Sequence, residues 1–487
     1  MCGAMNSGTR RGSALRNAFH LGFGQVTTTI LTILLSAALG RTLGATDFGL
    51  VYILMSTATF AYVVIDWGYG SLIIREAARH PERSGDVLGS AIAARVAAAM
   101  IAGPIVIVTT WLLGYDLRTR LLAGALVIAW LPQYLGLSFG WVFRGRERMD
   151  RDAQLNVFHK LITLLGSVVC LKLGGGVAGL VFTWAIAGCM TLAIANVMYR
   201  NLQLPKLSAT MATARELLRD GAPLLLMTLA VAVEPFFNAN ILYKLSSPEV
   251  VGWYGAAWNI AGTLVAPATI LSATMYPRLS MAAGNAVEFK RTFDMSFRPL
   301  LLIAILGAVG TYLFADVPVG LIYSMQKFGP AADILRAFAS VLTLMIVDMF
   351  LTTAILASGK TARLAGCKVA SVILTTGLAF MLVPICQARY GNGGLGVMYA
   401  MTIGEMLMLI AASFFIRDVI DRRNISDAFR CLLAGLATIL LIRVLPAFTP
   451  FLAIPLCIIA FAVLSFLFGA VRRSDLEMLR KSKSAVN

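Results

Sequence analysis

VAAAMIAGPIVIVTTWLL, residues 96–113, is a run of eighteen residues in which no side chain carries a charge. A helix needs about 20 apolar residues to cross roughly 30 Å of hydrocarbon. The rest of the chain resembles this stretch, because its 487 residues are 59% hydrophobic and only 13% charged, with mean hydropathy +0.80. Soluble domains are about 25% charged. The sequence therefore predicts an all-α membrane protein.

About fourteen transmembrane helices are predicted. Their ranges are 16–40, 50–74, 88–113, 120–143, 155–172, 175–199, 221–244, 250–275, 299–324, 331–357, 364–386, 393–416, 430–446 and 450–471. Because the number is even, both termini are expected on the same side of the membrane.

Basic residues are distributed unevenly between the two sets of loops. Of the 41 Lys and Arg, 29 fall on the side of the N-terminus, seven on the other side and five inside spans. Cytoplasmic loops are enriched in Lys and Arg, so both termini are predicted in the cytoplasm, with the protein in the cell (inner) membrane. This bias also explains the net charge of +17. Basic cytoplasmic loops lie near anionic membrane lipid, so the charge does not indicate binding of nucleic acid.

The chain contains an internal repeat. Gly49 and Gly252 are 203 residues apart, as are Arg75 and Arg278. Further matches lie 214 and 217 residues apart: Gly145-Arg146 with Gly359-Lys360, and Gly174 with Gly391. The repeat unit is six spans, so the halves insert in the same orientation, as in transporters with parallel repeats. The predicted domains are an N-terminal six-helix lobe (1–200), a C-terminal six-helix lobe (201–417), and two extra transmembrane helices with a basic cytoplasmic tail (418–487).

No motif points to an enzyme. There is no nucleophile elbow or H-E-x-x-H pattern, and the chain has three histidines and seven cysteines without a C-x-x-C pair. We expect no catalytic residue, no metal site and no cofactor.

Ionisable residues inside spans are costly and usually face a protein interior or a water-filled path. The deepest are Asp66, Glu234, Asp348 and Glu405. For these acids a place in a transport path and a hydrogen bond between helices remain open alternatives. Other charged or polar residues also lie within spans or near their ends: Arg95, His159, Lys160, Asn238, Asn240, Asp333, Arg336, Lys368 and Arg443.

Several short motifs occur together in order along residues 15–470. They are Arg41-x-Leu43-Gly44-x-x-x-Phe48-Gly49, Asp66-x-Gly68, Val251-Gly252-x-Tyr254-x-x-Ala257, Pro277-x-Leu279-Ser280, Ala357-Ser358-Gly359-Lys360, Val383-Pro384 and Gly404-Glu405. In this pattern the sequence resembles the Wzx-type flippases of the MOP superfamily, which export polysaccharide repeat units.

The resemblance implies two six-helix lobes around a central cavity that opens to each side alternately. It implies an undecaprenyl-diphosphate-linked oligosaccharide as substrate, a proton or sodium ion for coupling, and a polysaccharide polymerase and assembly proteins as partners. Arg75, Arg278 and Arg298 are expected to bind the diphosphate, since Arg binds phosphate oxygens bidentately. The expected lumen also includes Asp66, Glu234, Asn238, Asn240, Asp348, Glu405, His159 and Lys160. The family often carries Asp where this chain has Asn240, which weakens an ion-coupling role there.

Three alternatives remain at the level of sequence. They are a multidrug or organic-cation antiporter of the same superfamily, a lipid II flippase, and a membrane glycosyltransferase or ligase. The last usually has a large outer loop, whereas no predicted outer loop here exceeds about ten residues.

Overall fold

The computed structural model describes residues 7–359, 361–445 and 449–471, and these residues contain helices and no strand. The helices are α1 (Ser7–Asp66), α2 (Tyr69–Arg79), α3 (Ser84–Leu112), α4 (Leu117–Gly145), α5 (Met149–Lys172), α6 (Gly176–Asn201), α7 (Met211–Leu245), α8 (Pro248–Ala282), α9 (Ala286–Phe314), α10 (Asp316–Ile322), α11 (Met325–Ala357), α12 (Thr361–Tyr390), α13 (Gly394–Phe415), α14 (Arg422–Val444) and α15 (Pro450–Leu467). Lys360, residue 446 of the predicted thirteenth span, and the basic tail beyond residue 471 lie outside the described residues.

Twelve helices within these ranges are long and apolar enough to cross a membrane. One of them, His20–Asp66, has 47 residues and bends at Gly44 (φ 78°, ψ 178°), so it supplies two spans. α7 has 35 residues, which at 1.5 Å per residue is also ample for a crossing. Together these helices match the fourteen predicted spans, and the predicted all-α membrane fold is confirmed.

Two predicted spans differ from the helices observed. The second, 50–74, is interrupted because α1 ends at Asp66 and the backbone turns through Trp67 (φ 47°) and Gly68 (φ 75°) before α2 begins. The ninth, 299–324, ends at Phe314, and a separate short helix, α10, follows. Hydropathy continues through both breaks, because it does not register a change in backbone dihedral angles.

Several helices also begin earlier than the predicted spans. α7 begins at Met211 and α9 at Ala286, ten or more residues before the apolar runs. The early turn of α9 is stabilised by the Asn285 side chain, which accepts hydrogen bonds from the backbone N–H groups of Val287 and Glu288. Such an N-cap satisfies N–H groups that have no partner within the helix, so α9 can begin in a polar stretch before its apolar run.

The chain packs into two compact units. The first comprises Met1–Tyr243 and Ser247–Gly252, and it therefore contains nearly all of α7. The second comprises Lys244–Ser246 and Trp253–Asn487. The predicted six-helix lobes are defined by the repeat rather than by packing, so their boundaries stay a prediction.

Two glycines of the repeat pack against each other within the first unit. A Cβ on Gly49 would lie 1.9 Å from the carbonyl oxygen of Pro248, four residues before Gly252. A Cβ on Gly252 would lie 2.0 Å from the carbonyl oxygen of Ala45, four residues before Gly49. The contact is reciprocal, as in an interface between symmetry-related surfaces. Only glycine permits these backbones to approach so closely.

Candidate substrate cavity and buried ion pairs

Asp66 forms a buried ion pair in the first unit. Its carboxylate accepts a hydrogen bond from the guanidinium of Arg95 on α3. Arg95 is fully buried, donates also to the Ser138 hydroxyl of α4, and lies 4.4 Å from the ring centroid of Trp141. An aromatic face attracts a cation, and pairing makes a charge at membrane depth tolerable. Because 28% of the Asp66 side chain remains exposed, this pair is accessible from the Asp66 side.

Arg298 occupies the corresponding position of the second repeat. It follows Arg95 by 203 residues, the spacing that separates Arg75 from Arg278. The position equivalent to Asp66 is Thr269, which carries no charge. Arg298 instead donates to Asp427 of α14 at 2.8 Å, and both side chains are at most 10% exposed. A helix outside the repeat therefore supplies the counter-charge.

Neither ion pair, Asp66 with Arg95 or Arg298 with Asp427, was predicted from the sequence. The sequence predicts Arg95 as a charged residue within or near the end of a span, whereas it carries no prediction for Asp427. A signal for the first pair was present, because neighbouring spans carry one Asp and one Arg. No comparable signal existed for the second pair, whose partners are 129 residues apart.

The two α5 candidates have different surroundings. His159 is buried, and its Nδ1 lies 3.0 Å from the Thr191 hydroxyl of α6. The Thr191 hydroxyl also lies 2.7 Å from the Ala187 carbonyl, so it can link the imidazole to the backbone of α6. Lys160 is half-buried and makes no hydrogen bond or ion pair with any described residue. Lys160 thus has the more available charge for an anionic ligand.

The α7 candidates lie in a continuous helix despite Pro235. Asn240 accepts a hydrogen bond from the Tyr115 hydroxyl at 2.6 Å and donates to the Phe236 carbonyl. Asn238 is 1% exposed, and Glu234 is half-buried. The Asn240 amide therefore links α7 to the connection between α3 and α4.

The remaining acids lie in the second unit. Asp348 of α11 is 1% exposed and accepts a hydrogen bond at 2.6 Å from Lys368 of α12. Glu405 of α13 is half-buried. It follows Gly404, where the Ser371 hydroxyl of α12 donates to the backbone carbonyl. Lys368, predicted only to lie within a span or near its end, is the counter-charge of Asp348.

The three arginines expected to bind a diphosphate have different surroundings within their own units. Arg75 is half-exposed at the end of α2, and its guanidinium lies 3.7 Å from the Asp220 carboxylate. Arg298 is buried against Asp427, as described above. Arg278 lines a cavity of about 680 Å³ within the second unit.

This cavity, here called the Arg278 cavity, lies between the end of α8 and the beginning of α9. Its polar wall contains Arg278, Arg291 and Glu288. The other wall is mainly apolar: Leu271, Met275, Met281, Ala282, Met295, Pro299 and Ile303. The three charged groups sum to one positive charge. A cavity with a cationic rim and flexible methionine walls suits an anionic amphiphile.

Comparison with known proteins places the chain in a family. It is 26% identical over 283 residues to a protein named putative O-antigen transporter from Escherichia coli (strain K12), a match that spans 56% of this chain and 66% of that protein. It is 21% identical over 350 residues to the probable low-salt glycan biosynthesis flippase Agl15 of Haloferax volcanii, covering 70% of this chain and 72% of the relative.

The fold agrees with that relationship. A structure of the lipid II flippase MurJ, in an inward closed conformation, superposes with a TM-score of 0.72 over 94% of this chain and 99% of the other, at 12% identity. The family described as "Polysaccharide biosynthesis protein" matches residues 14–283, more than half of the chain. The resemblance found in the sequence is thereby confirmed, and the chain belongs to the polysaccharide biosynthesis protein family.

Proposed function

We propose that the chain is a flippase that carries an undecaprenyl-diphosphate-linked oligosaccharide from the cytoplasmic to the outer leaflet by alternating access. The observation that carries this proposal is the Arg278 cavity. It combines two guanidinium groups with an apolar wall, the combination that a diphosphate attached to a lipid requires. The loop bias supports a cytoplasmic location for this end of α8, the side from which the proposed substrate is carried.

The family and the named relatives support transport of a polysaccharide precursor. We further propose an inner-membrane location with both termini in the cytoplasm, coupling to a proton or sodium gradient, and cooperation with a polysaccharide polymerase and assembly proteins. Asp66, Lys160, Glu234, Asp348 and Glu405 are the candidate lumen residues for coupling.

A lipid II flippase is the second candidate, since the fold matches MurJ over nearly its whole length. Both substrates are lipid diphosphates, so the Arg278 cavity fits either. Deletion of the gene distinguishes the two functions. Loss of surface polysaccharide indicates the oligosaccharide flippase, and failure of cell-wall synthesis indicates the lipid II flippase.

The Arg278 cavity is tested by charge removal. We expect Arg278→Gln combined with Arg291→Gln to lower transport at least tenfold, because each guanidinium makes charge-assisted bonds with phosphate worth roughly 1.5–3 kcal/mol. Arg215→Gln is the matched control, because Arg215 is an exposed α7 arginine with no bond to a described residue. The measurement is surface polysaccharide at equal protein abundance. Unchanged polymer in the double variant would exclude this cavity as the diphosphate site.

A further inference from the structure

A second cavity in the second unit has a different chemistry. It has a volume of about 860 Å³ and lies among α9, α11, α14 and the ends of α8, α12 and α13. Volumes of 300–1,000 Å³ are typical of sites for small ligands. We call it the α14 groove. Sequence analysis singled out three charged residues near it, Asp333, Arg336 and Arg443, and the proposed function uses none of them.

The lining of the groove changes along its length. Its deep part is apolar, with Ile305 and Val309 of α9 facing Leu432 and Leu436 of α14. Its other end lies where helices begin and end, and is lined by aromatic and polar residues: Trp253, Tyr312, Asp333, Arg336, Tyr390 and Tyr399. Aromatic residues collect at the boundary between hydrocarbon and head groups. The groove thus has the polarity gradient of a single lipid molecule lying in one leaflet.

The charges at the polar end limit the head group. Arg336 donates to two carboxylates, Asp333 at 2.6 Å and Asp316 of α10. These three groups sum to one negative charge, and the two Asp side chains remain about half exposed. A head group that presents only negative charge is repelled here, whereas a primary ammonium can donate hydrogen bonds to both carboxylates. The same repulsion disfavours the diphosphate of a lipid-linked saccharide.

A cation completes the polar end. Arg443, near the end of α14, donates to the Tyr312 hydroxyl at 2.9 Å and lies 5.1 Å from the centroid of that ring. Tyr312 lines the groove. Arg443 forms no ion pair with a described residue, so its positive charge is available to a phosphate. Arg443 thus adjoins the groove through Tyr312, as Asp316 does through Arg336, so the polar end has an acidic pair and a separate cation.

We propose that the α14 groove binds a zwitterionic phospholipid whose head group carries a primary ammonium, of the phosphatidylethanolamine class. The ammonium contacts Asp333 and Asp316, the phosphate faces Arg443, and an acyl chain lies between α9 and α14. This lipid bridges α14 to the helices of the repeat. With the orientation given under the proposed function, the polar end of the groove lies in the outer leaflet. The chemistry of the site does not depend on that orientation.

The test uses the full-length protein, purified and stripped of lipid. Thermal unfolding is followed while phosphatidylethanolamine, phosphatidylcholine or phosphatidylglycerol is added. We expect the ethanolamine lipid to raise the melting temperature more, and to bind roughly tenfold more tightly, than the choline lipid, which has no N–H donor. Phosphatidylglycerol serves as the anionic comparison only, because the Arg278 cavity can also accept it.

Variants assign the contacts. Asp316→Asn with Asp333→Asn should abolish the preference for ethanolamine over choline, and Asp333→Asn alone serves if the double variant does not fold. Arg443→Gln should weaken both zwitterionic lipids. Asp418→Asn and Arg423→Gln are matched controls at exposed positions and should change nothing. Equal stabilisation by the ethanolamine and choline lipids, or a preference for ethanolamine that Asp333→Asn does not reduce, would each overturn the proposal. The assay involves no transport, so its result is independent of whether the chain is a flippase.

Discussion

At the scale of single residues, the ion pairs carry the most specific expectations. Arg95 has no exposure to solvent, and Asp66 is its counter-charge. Removing one member of a buried pair costs about 3–5 kcal/mol, whereas replacing both can be nearly neutral. The two members are unequal here, because Asp66 is partly exposed and can be protonated, but Arg95 cannot lose its proton.

We therefore expect Asp66→Asn to lower the free energy of unfolding by about 3 kcal/mol, because it leaves a buried guanidinium without a counter-charge. The double variant Asp66→Asn, Arg95→Met should recover most of this loss, since Met can pack against Trp141. The measurement is a double-mutant cycle by chemical unfolding in detergent. Additive effects of the two substitutions would show that the pair is not coupled.

A second expectation concerns Asp421, which caps α14. Its carboxylate accepts the Asn424 N–H and also pairs with Lys290 of α9. Asp421→Ala should reduce stability by about 1 kcal/mol, the usual cost of losing an N-cap. Asp418→Ala, at a neighbouring exposed position, is the control.

This cap also predicts a pH dependence. The hydrogen bond from Lys290 holds the pKa of the Asp421 carboxyl below its usual value. A group whose folded-state pKa is lowered stabilises the fold above the unfolded pKa, about 3.9, and loses that contribution as pH falls through the folded pKa. The stability difference between wild type and Asp421→Ala should therefore be constant near neutral pH and shrink below about pH 4. A difference that grows on acidification would contradict the assignment.

At the scale of elements, the glycine contact between α1 and α8 is the most constrained. A methyl group on Gly49 would overlap a backbone carbonyl, which cannot rotate away as a side chain can. Backbone shifts caused by overpacking cost typically 1–3 kcal/mol or more. Since the contact is reciprocal, Gly252 should respond as Gly49 does.

We expect Gly49→Ala and Gly252→Ala each to destabilise the protein by at least about 2 kcal/mol. Gly22→Ala is the control within the same helix, because a Cβ there meets nothing within 4 Å. It should be neutral or slightly stabilising, since Ala favours a helix by about 1 kcal/mol over Gly. Thermal unfolding of the three purified variants measures this, and equal melting temperatures would contradict the packing described.

At the scale of the whole molecule, the all-α membrane architecture could be predicted from the sequence, while the pairing of charges could not. Long uncharged runs determine which segments enter the membrane, and their number is a local property. Helix breaks such as Trp67–Gly68 depend on backbone geometry, which hydropathy does not contain. Arg298 and Asp427 meet only after α9 and α14 pack, so their pairing is a property of tertiary structure. The diphosphate-binding role predicted for Arg75 and Arg298 stays a prediction, and the cavity supports Arg278 most directly.

α14, which lies outside the repeat, adds two features to the second unit. α14 contributes Asp427 to the second-unit arginine that corresponds to Arg95, and it forms one wall of the α14 groove. The first unit needs no counter-charge from outside the repeat, because Asp66, the partner of Arg95, lies within the repeat itself. α14 therefore completes the charge pairing of the second unit.

The central claim is that the chain moves a lipid-diphosphate-linked oligosaccharide across the membrane. The most direct measurement compares a strain that lacks the gene with its parent, by mass analysis of extracted lipids and by antibody or lectin staining of the outer surface. The account predicts that diphosphate-linked repeat units accumulate inside while surface polymer disappears. Normal surface polymer together with altered sensitivity to cationic drugs would contradict it and would indicate an antiporter.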